Sequence, residues 1–292
     1  MRKLLTTLLT AVCLPAFAES VSLQDDRGIT ITLQQPAKRI ISLAPHITEN
    51  LFAIGSGQLI VGVTSYNNYP AEANDIELVG TYKDFDIEKI ISLKPDIVIG
   101  WVSGNPEAQI KRIERFDVPV FLSEPRTFEG IARELTRFGI LTGRTTQATQ
   151  VAELFLGKIR QLRESNTNQT PLSVFYQIWD NPMITLNGEH LISRLIEACG
   201  GRNIFSDQKQ LAPRISEEAV IDRDPQVIIA SGMGHERPPW LDEWLRFDFL
   251  DAVRNTNLFH IHPDLIERHT IRVADGMREI CAKLQEARQK SG

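Results

Sequence analysis

Two stretches of this chain are copies of one plan. Residues 86–100, DIEKIISLKPDIVIG, align without a gap on residues 216–230, SEEAVIDRDPQVIIA. Each reads as a cap residue, a Glu at the third position, a short helix, a Lys-Pro or Asp-Pro turn, and a β-branched buried strand. Asp86 and Ser216 suit the cap position because a short side-chain oxygen accepts from the free amides of a first helical turn. Pro95 and Pro225 end the helices, since proline disfavours helical backbone in the residue before it. A looser match pairs 52–55, Phe-Ala-Ile-Gly, with 197–200, Glu-Ala-Cys-Gly. A period this long exceeds the roughly 20–50 residues of solenoid repeats. The chain is therefore expected to form two similar lobes, and ligands favour the cleft between such lobes.

The rest of the pattern agrees. Residues 21–33, VSLQDDRGITITL, alternate apolar and polar around an Asp-Asp-Arg-Gly turn and predict a hairpin. Strands are expected at 39–43, 60–64, 97–101 and 118–122, with a helix at 48–54 stopped by Gly55 and Gly57. The longest helical pattern is 145–165, where Val151, Leu154, Phe155, Ile159 and Leu162 recur on one face. A second strand-helix series follows, with strands at 173–178, 227–230 and 259–262. Alternating strands and helices imply parallel sheets. The expected class is α/β: two Rossmann-like lobes with mostly parallel sheets, joined by a single long helix. The limits are an N-terminal hairpin extension at 19–37, a first lobe at 38–143, the linking helix at 144–167 and a second lobe at 168–292.

The first eighteen residues predict a signal peptide. Arg2 and Lys3 precede an apolar run, and Ala16-Phe17-Ala18 is a small-x-small cleavage site, so the mature chain would begin at Glu19. Cys13 follows the branched Val12, where lipoprotein signals carry a small residue. The expected product is soluble and exported. The chain holds 32 Lys and Arg against 37 Asp and Glu. That balance argues against a nucleic-acid partner, because phosphate binding needs a basic face. Cys199 and Cys281 survive processing. In an oxidising compartment a bridge between them is expected, worth about 4 kcal/mol in the chain-entropy account; two buried free thiols are the alternative.

Several residues are candidates for function. Glu88 and Glu218 hold the same place in the repeat, one per lobe. Each either stabilises its helix dipole or, with its twin, offers matched carboxylates to a partner with two basic sockets. Tyr66, Tyr69, Tyr82 and Phe85 lie in loops of the first lobe, and Trp101 and Trp179 end strands. In open α/β sheets the carboxyl ends of strands face the ligand crevice, so this set predicts a cavity that stacks a flat ring. No nucleophile elbow, zincin helix or phosphate loop is present in the sequence. The nearest approach to a metal cluster is His260, His262, Asp264, Glu267 and His269, with the first two expected on one strand face; against a zinc site stands the ordinary role of solvated surface groups. Trp240 and Trp244 are expected to pack a helix.

The segments RIISLAPHITENLFAIG, VGVTSYNNYP, DIEKIISLKPDIVIGW, EACGGRNIF and HPDLIERH resemble those of periplasmic cobalamin (vitamin B12)-binding proteins. These belong to the receptors with a helical backbone, which also carry haem and ferric siderophores to ABC importers. The resemblance covers nearly all of the chain after about residue 38. It implies a monomeric, non-enzymatic periplasmic protein that holds a corrinoid between its lobes and delivers it to a permease dimer, with no catalytic cofactor and no metal of its own. It implies that Glu88 and Glu218 dock on permease arginines and that Cys199 and Cys281 are bridged. Tyr66, Tyr82 and Trp101 match aromatic cavity positions, and Asp264, Leu265, Ile266, Glu267 and Arg268 match a loop that touches the corrin. The family pattern has Trp where this chain has Tyr82, Ala212 and Leu265. The haem branch places an axial Tyr directly after Val-Gly, where this chain has Thr81. Haem or a ferric siderophore is the alternative cargo, and a metal-dependent periplasmic enzyme built on the 260–269 histidines the remote one.

Overall fold

The computed structural model describes residues 20–232 and 236–290. The expected signal segment lies outside them. Strands β1 (Val21–Gln24) and β2 (Thr30–Leu33) form the antiparallel hairpin. Arg137 pins it to the first lobe, donating to Asp26 at 2.8 Å and to the Gln24 carbonyl at 2.9 Å.

Each lobe is a four-stranded parallel sheet. The first contains β3 (Ile40–Ser42), β4 (Ile60–Val63), β5 (Ile97–Trp101) and β6 (Val120–Ser123), in the order β4-β3-β5-β6. The second contains β7 (Leu172–Gln177), β8 (Gly201–Asn203), β9 (Val227–Ala230) and β10 (Leu258–His260), in the order β8-β7-β9-β10. The two orders are the same. In each, the connections leave the first and third strands in opposite directions, so a crevice opens outside their carboxyl ends.

The repeat holds at the level of caps and turns. Asp86 caps α2 (Ile87–Ser92) by accepting from the Lys89 amide, and Ser216 caps α7 (Glu217–Ile221) by accepting from the Ala219 amide. Gly55 and Gly200 follow α1 (Pro45–Ala53) and α6 (Leu191–Ala198) with φ of 74° and 73°, left-handed values that glycine adopts without strain. The Pro turns differ from expectation. Lys94 and Asp224, before the prolines, are left-handed (φ 48° and 36°) instead of extended. The same departure in both copies shows one turn geometry used twice.

Helices α4 (Phe128–Thr142) and α5 (Thr145–Glu164) turn back on each other at Gly143, φ 69°. They approach closely because Gly139 lacks a side chain: a Cβ there would lie 2.3 Å from that of Ala148. Helix α5 spans about 30 Å at 1.5 Å per residue and carries the chain from β6 to β7. Its buried residues include Phe155 and Ile159, as the periodicity predicts, whereas Leu154 is exposed. The C-terminal helix α10 (Val273–Lys290) packs on α5 and α6. A disulfide joins Cys199 to Cys281, with Cα atoms 4.7 Å apart. Among the described residues no helix is long and apolar enough to cross a membrane.

Boundaries shift where caps decide them. The helix expected at 48–54 starts at Pro45, whose missing N–H costs nothing in a first turn. The strand expected at 259–262 ends at His260, and His262 instead caps α9 (Pro263–Ile266), accepting from the Asp264 amide through Nδ1 at 3.1 Å. His260 and His262 therefore do not share a strand face. Nε2 of His260 sits 3.0 Å from the Ser231 carbonyl. Among the described residues no three His, Cys, Asp or Glu gather to hold a metal ion. Trp244 packs against Phe175 as expected of a core residue, but from a 3-10 helix (Pro239–Arg246), and donates to Gln177.

Candidate binding cleft

The strand ends of the two lobes face each other across a cavity of about 320 Å³. Trp101, Ser103, Glu124 and Arg126 line it from the first lobe; Ile178, Glu189, His190, Leu191, Leu211, Glu267 and His269 line it from the second. A larger groove, about 880 Å³, runs beside β8 and the end of α5. It belongs to the second lobe and the linking helix, and no aromatic side chain lines it, so the inter-lobe cavity is the better candidate.

Trp101 forms the floor. Asn105, buried, accepts from the Trp101 amide at 2.7 Å and donates to the Leu43 carbonyl at 3.0 Å, which fixes the end of β5. Gly104 lies against the indole, where a Cβ would come within 1.9 Å of Cε3. His46 and His269 meet the indole with ring centroids at 5.2 and 6.1 Å, and lie 5.9 Å from each other. Nε1 of Trp101, Nε2 of His46 and Nδ1 of His269 are buried without a hydrogen-bond partner among the described residues. Buried polar atoms are almost always paired, so three orphans in one aromatic cluster mark this floor as unusual. Burial lowers His46 well below the ordinary imidazole range and lowers His269 to about 4. Both rings are neutral at neutral pH.

Beside the floor the lobes are locked by ions. Glu49, buried on α1, accepts from Arg268 at 2.6 Å and Arg272 at 3.5 Å. Arg268 also reaches Asp264 at 2.9 Å, Asn68 at 2.7 Å and the Tyr66 carbonyl at 3.3 Å. Asn50 donates to the His269 carbonyl at 3.0 Å and to Glu134 at 2.7 Å, and Glu134 in turn bonds Ser123. Burial raises the Glu134 carboxyl to about 7.

The expected aromatics divide by depth. Trp101 is half-buried, while Tyr66, Tyr82 and Trp179 are exposed. Tyr66 is left-handed (φ 68°), a conformation uncommon outside glycine that often accompanies functional loops. Tyr69 is also exposed, with the Arg272 guanidinium 4.0 Å from its ring, whereas Phe85 is buried. In the 264–268 stretch, Glu267 lines the cavity and contacts Ser231 and Tyr176, with burial raising its carboxyl. Arg268 is saturated by its own partners. Ile266 is wholly buried and packs against Gly276, so its side chain does not reach the cleft. Glu88 and Glu218 are exposed in the first turns of α2 and α7. Neither forms an ion pair among the described residues, although their neighbours do: Lys89 with Glu77, and Glu217 with Arg246.

The sequence reading missed His46, His190, Glu124, Arg126, Glu189 and Leu211. His190 had a signal, since it stands where an apolar helix begins. His46 lies in the first turn of α1, and the others lie in loops that only the sheet order brings together.

Acid should weaken this fold. His190 and His269 are lowered to about 4 from 6.5, chiefly by burial. The unfolded chain then binds more protons between those values, so their stabilisation is present above pH 6.5 and lost as pH falls toward 4. At about 1.4 kcal/mol per pH unit of separation, each costs roughly 3 kcal/mol when fully protonated. His46 acts in the same direction. Glu134 opposes them, because a carboxyl raised to about 7 favours the fold below its unfolded value of 4.5 and loses that contribution as pH rises through 7. Glu49 and Glu267, whose carboxyls burial also raises, act with Glu134; the imidazoles carry the larger displacements, so the urea midpoint is expected to drop between pH 6.5 and 4.5. An unchanged midpoint across that window would contradict the burial of these imidazoles.

The periplasmic binding protein family matches residues 40–265. The vitamin B12-binding protein of Vibrio campbellii is 34% identical over 255 residues, covering 87% of this chain and 92% of that protein. The solved structure of the periplasmic vitamin B12 binding protein BtuF of Vibrio cholerae is 32% identical, with a TM-score of 0.78 over 87% of this chain and 98% of that one. The periplasmic heme-binding protein RhuT of Roseiflexus has a TM-score of 0.77 at 22% identity, covering 86% and 99%. This last likeness speaks for the fold alone, which the two kinds of receptor share.

Proposed function

The chain belongs to the periplasmic binding protein family, and from that premise we propose that it captures cobalamin or a related corrinoid between its lobes and hands it to an ABC permease in the inner membrane. The observation that carries this is the make-up of the cleft. Its floor is an indole flanked by two neutral imidazoles, and exposed tyrosines stand in the loops of the same strand ends. Flat rings of this kind stack a macrocycle. At about 320 Å³ the cavity lies at the small end of ligand clefts, roughly 300–1,000 Å³. It takes one edge of a corrin, and the body of the ring lies across the mouth.

Charge selects among macrocycles. Glu124, Glu189 and Glu267 outnumber Arg126 in the lining, and Arg268 is already paired. Such a lining repels the carboxylates of haem and of many ferric chelates, whereas the amide-fringed corrin brings none. The relatives named for vitamin B12 support the same cargo. The protein acts in the periplasm as a carrier and not as an enzyme. Tyr66, Tyr82, Trp101, Trp179, Asp264, Leu265, Glu267 and Arg268 form or brace the site, within lobes at 38–143 and 168–292 joined by 144–167. It works as a monomer whose partners are the corrinoid and the permease.

The absorption spectrum of the protein purified from cells supplied with cobalamin tests the cargo. Corrinoid bands in stoichiometric amount are expected. One observation favours haem as a second reading: Tyr82 presents an exposed phenol in the first-lobe loop. A Soret shift with haemin that Tyr82→Phe abolishes, together with absent corrinoid bands, would replace the first proposal with the second.

A further inference from the structure

His190 sits between the helix α6 and the cleft, and its two nitrogens have different tasks. Nδ1 accepts from the Ile192 amide at 3.2 Å, capping the helix. An accepting nitrogen carries no proton, so the neutral ring holds its proton on Nε2. The ring lines the cavity, and Nε2 has no hydrogen-bond partner among the described residues and is not sealed inside the protein. Burial keeps the ring neutral, lowered to about 4. The cap therefore fixes a tautomer whose cavity-facing edge donates and has no lone pair for a metal.

Building on the corrinoid proposal, we propose that His190 orients the cargo by donating Nε2–H to a neutral oxygen acceptor on its rim, the carbonyl of a peripheral amide, and does not coordinate its metal. The neighbours suit a neutral acceptor. Glu189 and Glu267 line the same wall and disfavour a carboxylate there, while an amide oxygen beside them is tolerated. The role is one of positioning and specificity: a corrinoid whose amides are hydrolysed to acids fits this wall less well.

The test substitutes His190→Ser, which keeps an oxygen cap for α6 but is too short to reach the cargo. Calorimetric titration of the mature protein with cyanocobalamin is expected to show about tenfold weaker binding by the variant, the scale of one lost hydrogen bond. The unfolding midpoint should stay near that of the unmodified protein, which separates lost contact from lost fold. Aquocobalamin bound to the unmodified protein should keep the spectrum of cobalt-bound water. Equal affinity of the two proteins for cyanocobalamin overturns the inference while leaving the corrinoid proposal intact. A spectrum of imidazole-bound cobalt that disappears in His190→Ser overturns it as well. Absence of cyanocobalamin binding by the unmodified protein overturns both.

Discussion

Replacing Glu88 and Glu218 together by Ala is expected to stop corrinoid uptake in cells while leaving cyanocobalamin affinity within about twofold of the original, less than 0.5 kcal/mol. Both carboxylates are exposed at helix starts, and neither forms an ion pair among the described residues, although Glu218 is hydrogen-bonded to the cap Ser216. Their loss removes little from the fold, since an acid near a helix N-terminus contributes about 0.3–1 kcal/mol. Their proposed value lies in symmetry. Two like lobes present one carboxylate each, and on the proposed docking to a permease with two like sockets both contacts would form in one event. Each single replacement should give partial uptake, because one lobe still docks. Normal uptake by the double variant, with the protein present in the periplasm, would remove the docking role.

The second large effect concerns Glu49. Glu49→Ala is expected to destabilise the protein by about 3 kcal/mol, the lower part of the 3–5 kcal/mol typical when one partner of a buried ion pair is removed. Glu49 is 2% exposed and stands between Arg268 and Arg272, whose side chains are 14% and 19% exposed. Without it two guanidiniums remain at the lobe seam with one accepting group fewer. Arg268 keeps Asp264 and Asn68, which is why the lower figure applies. Urea unfolding of the variant measures this directly. A change under about 1 kcal/mol would mean that solvent compensates the pair, as it does for surface bridges.

Glu49 also shows where the sequence stops being informative. Thr48, Glu49 and Asn50 are three polar residues in a row, and all are buried. Local pattern assigns such a run to solvent. Thr48 donates to the nearby Ser42, but the partners of Glu49 and Asn50 lie in the other lobe or in α4, as Arg268, His269 and Glu134 show, and no periodicity points across that distance. The repeat was legible for the opposite reason. Its caps and the glycines at 55 and 200 obey rules that act within a few residues, and its proline turns depart from the rule in the same way, so two copies of the local pattern expose two copies of the fold. The histidines at 260 and 262 were misplaced because alternation continued on paper past the point where a cap ended the strand. Trp101 was found because strand ends face ligands in sheets of this kind. His190 was passed over although it begins a helix, because histidine is not among the usual capping residues and its second nitrogen acquires meaning only once the cleft is seen.

The central claim is that the cleft between the matched lobes holds a corrinoid. Calorimetric titration of the mature protein with cyanocobalamin tests it most directly. One site per chain with sub-micromolar affinity, tighter than about −8 kcal/mol, is the predicted result, and Trp101→Ala should weaken it. No detectable binding at about 10 μM, where a site worth about −7 kcal/mol would be half filled, would contradict it.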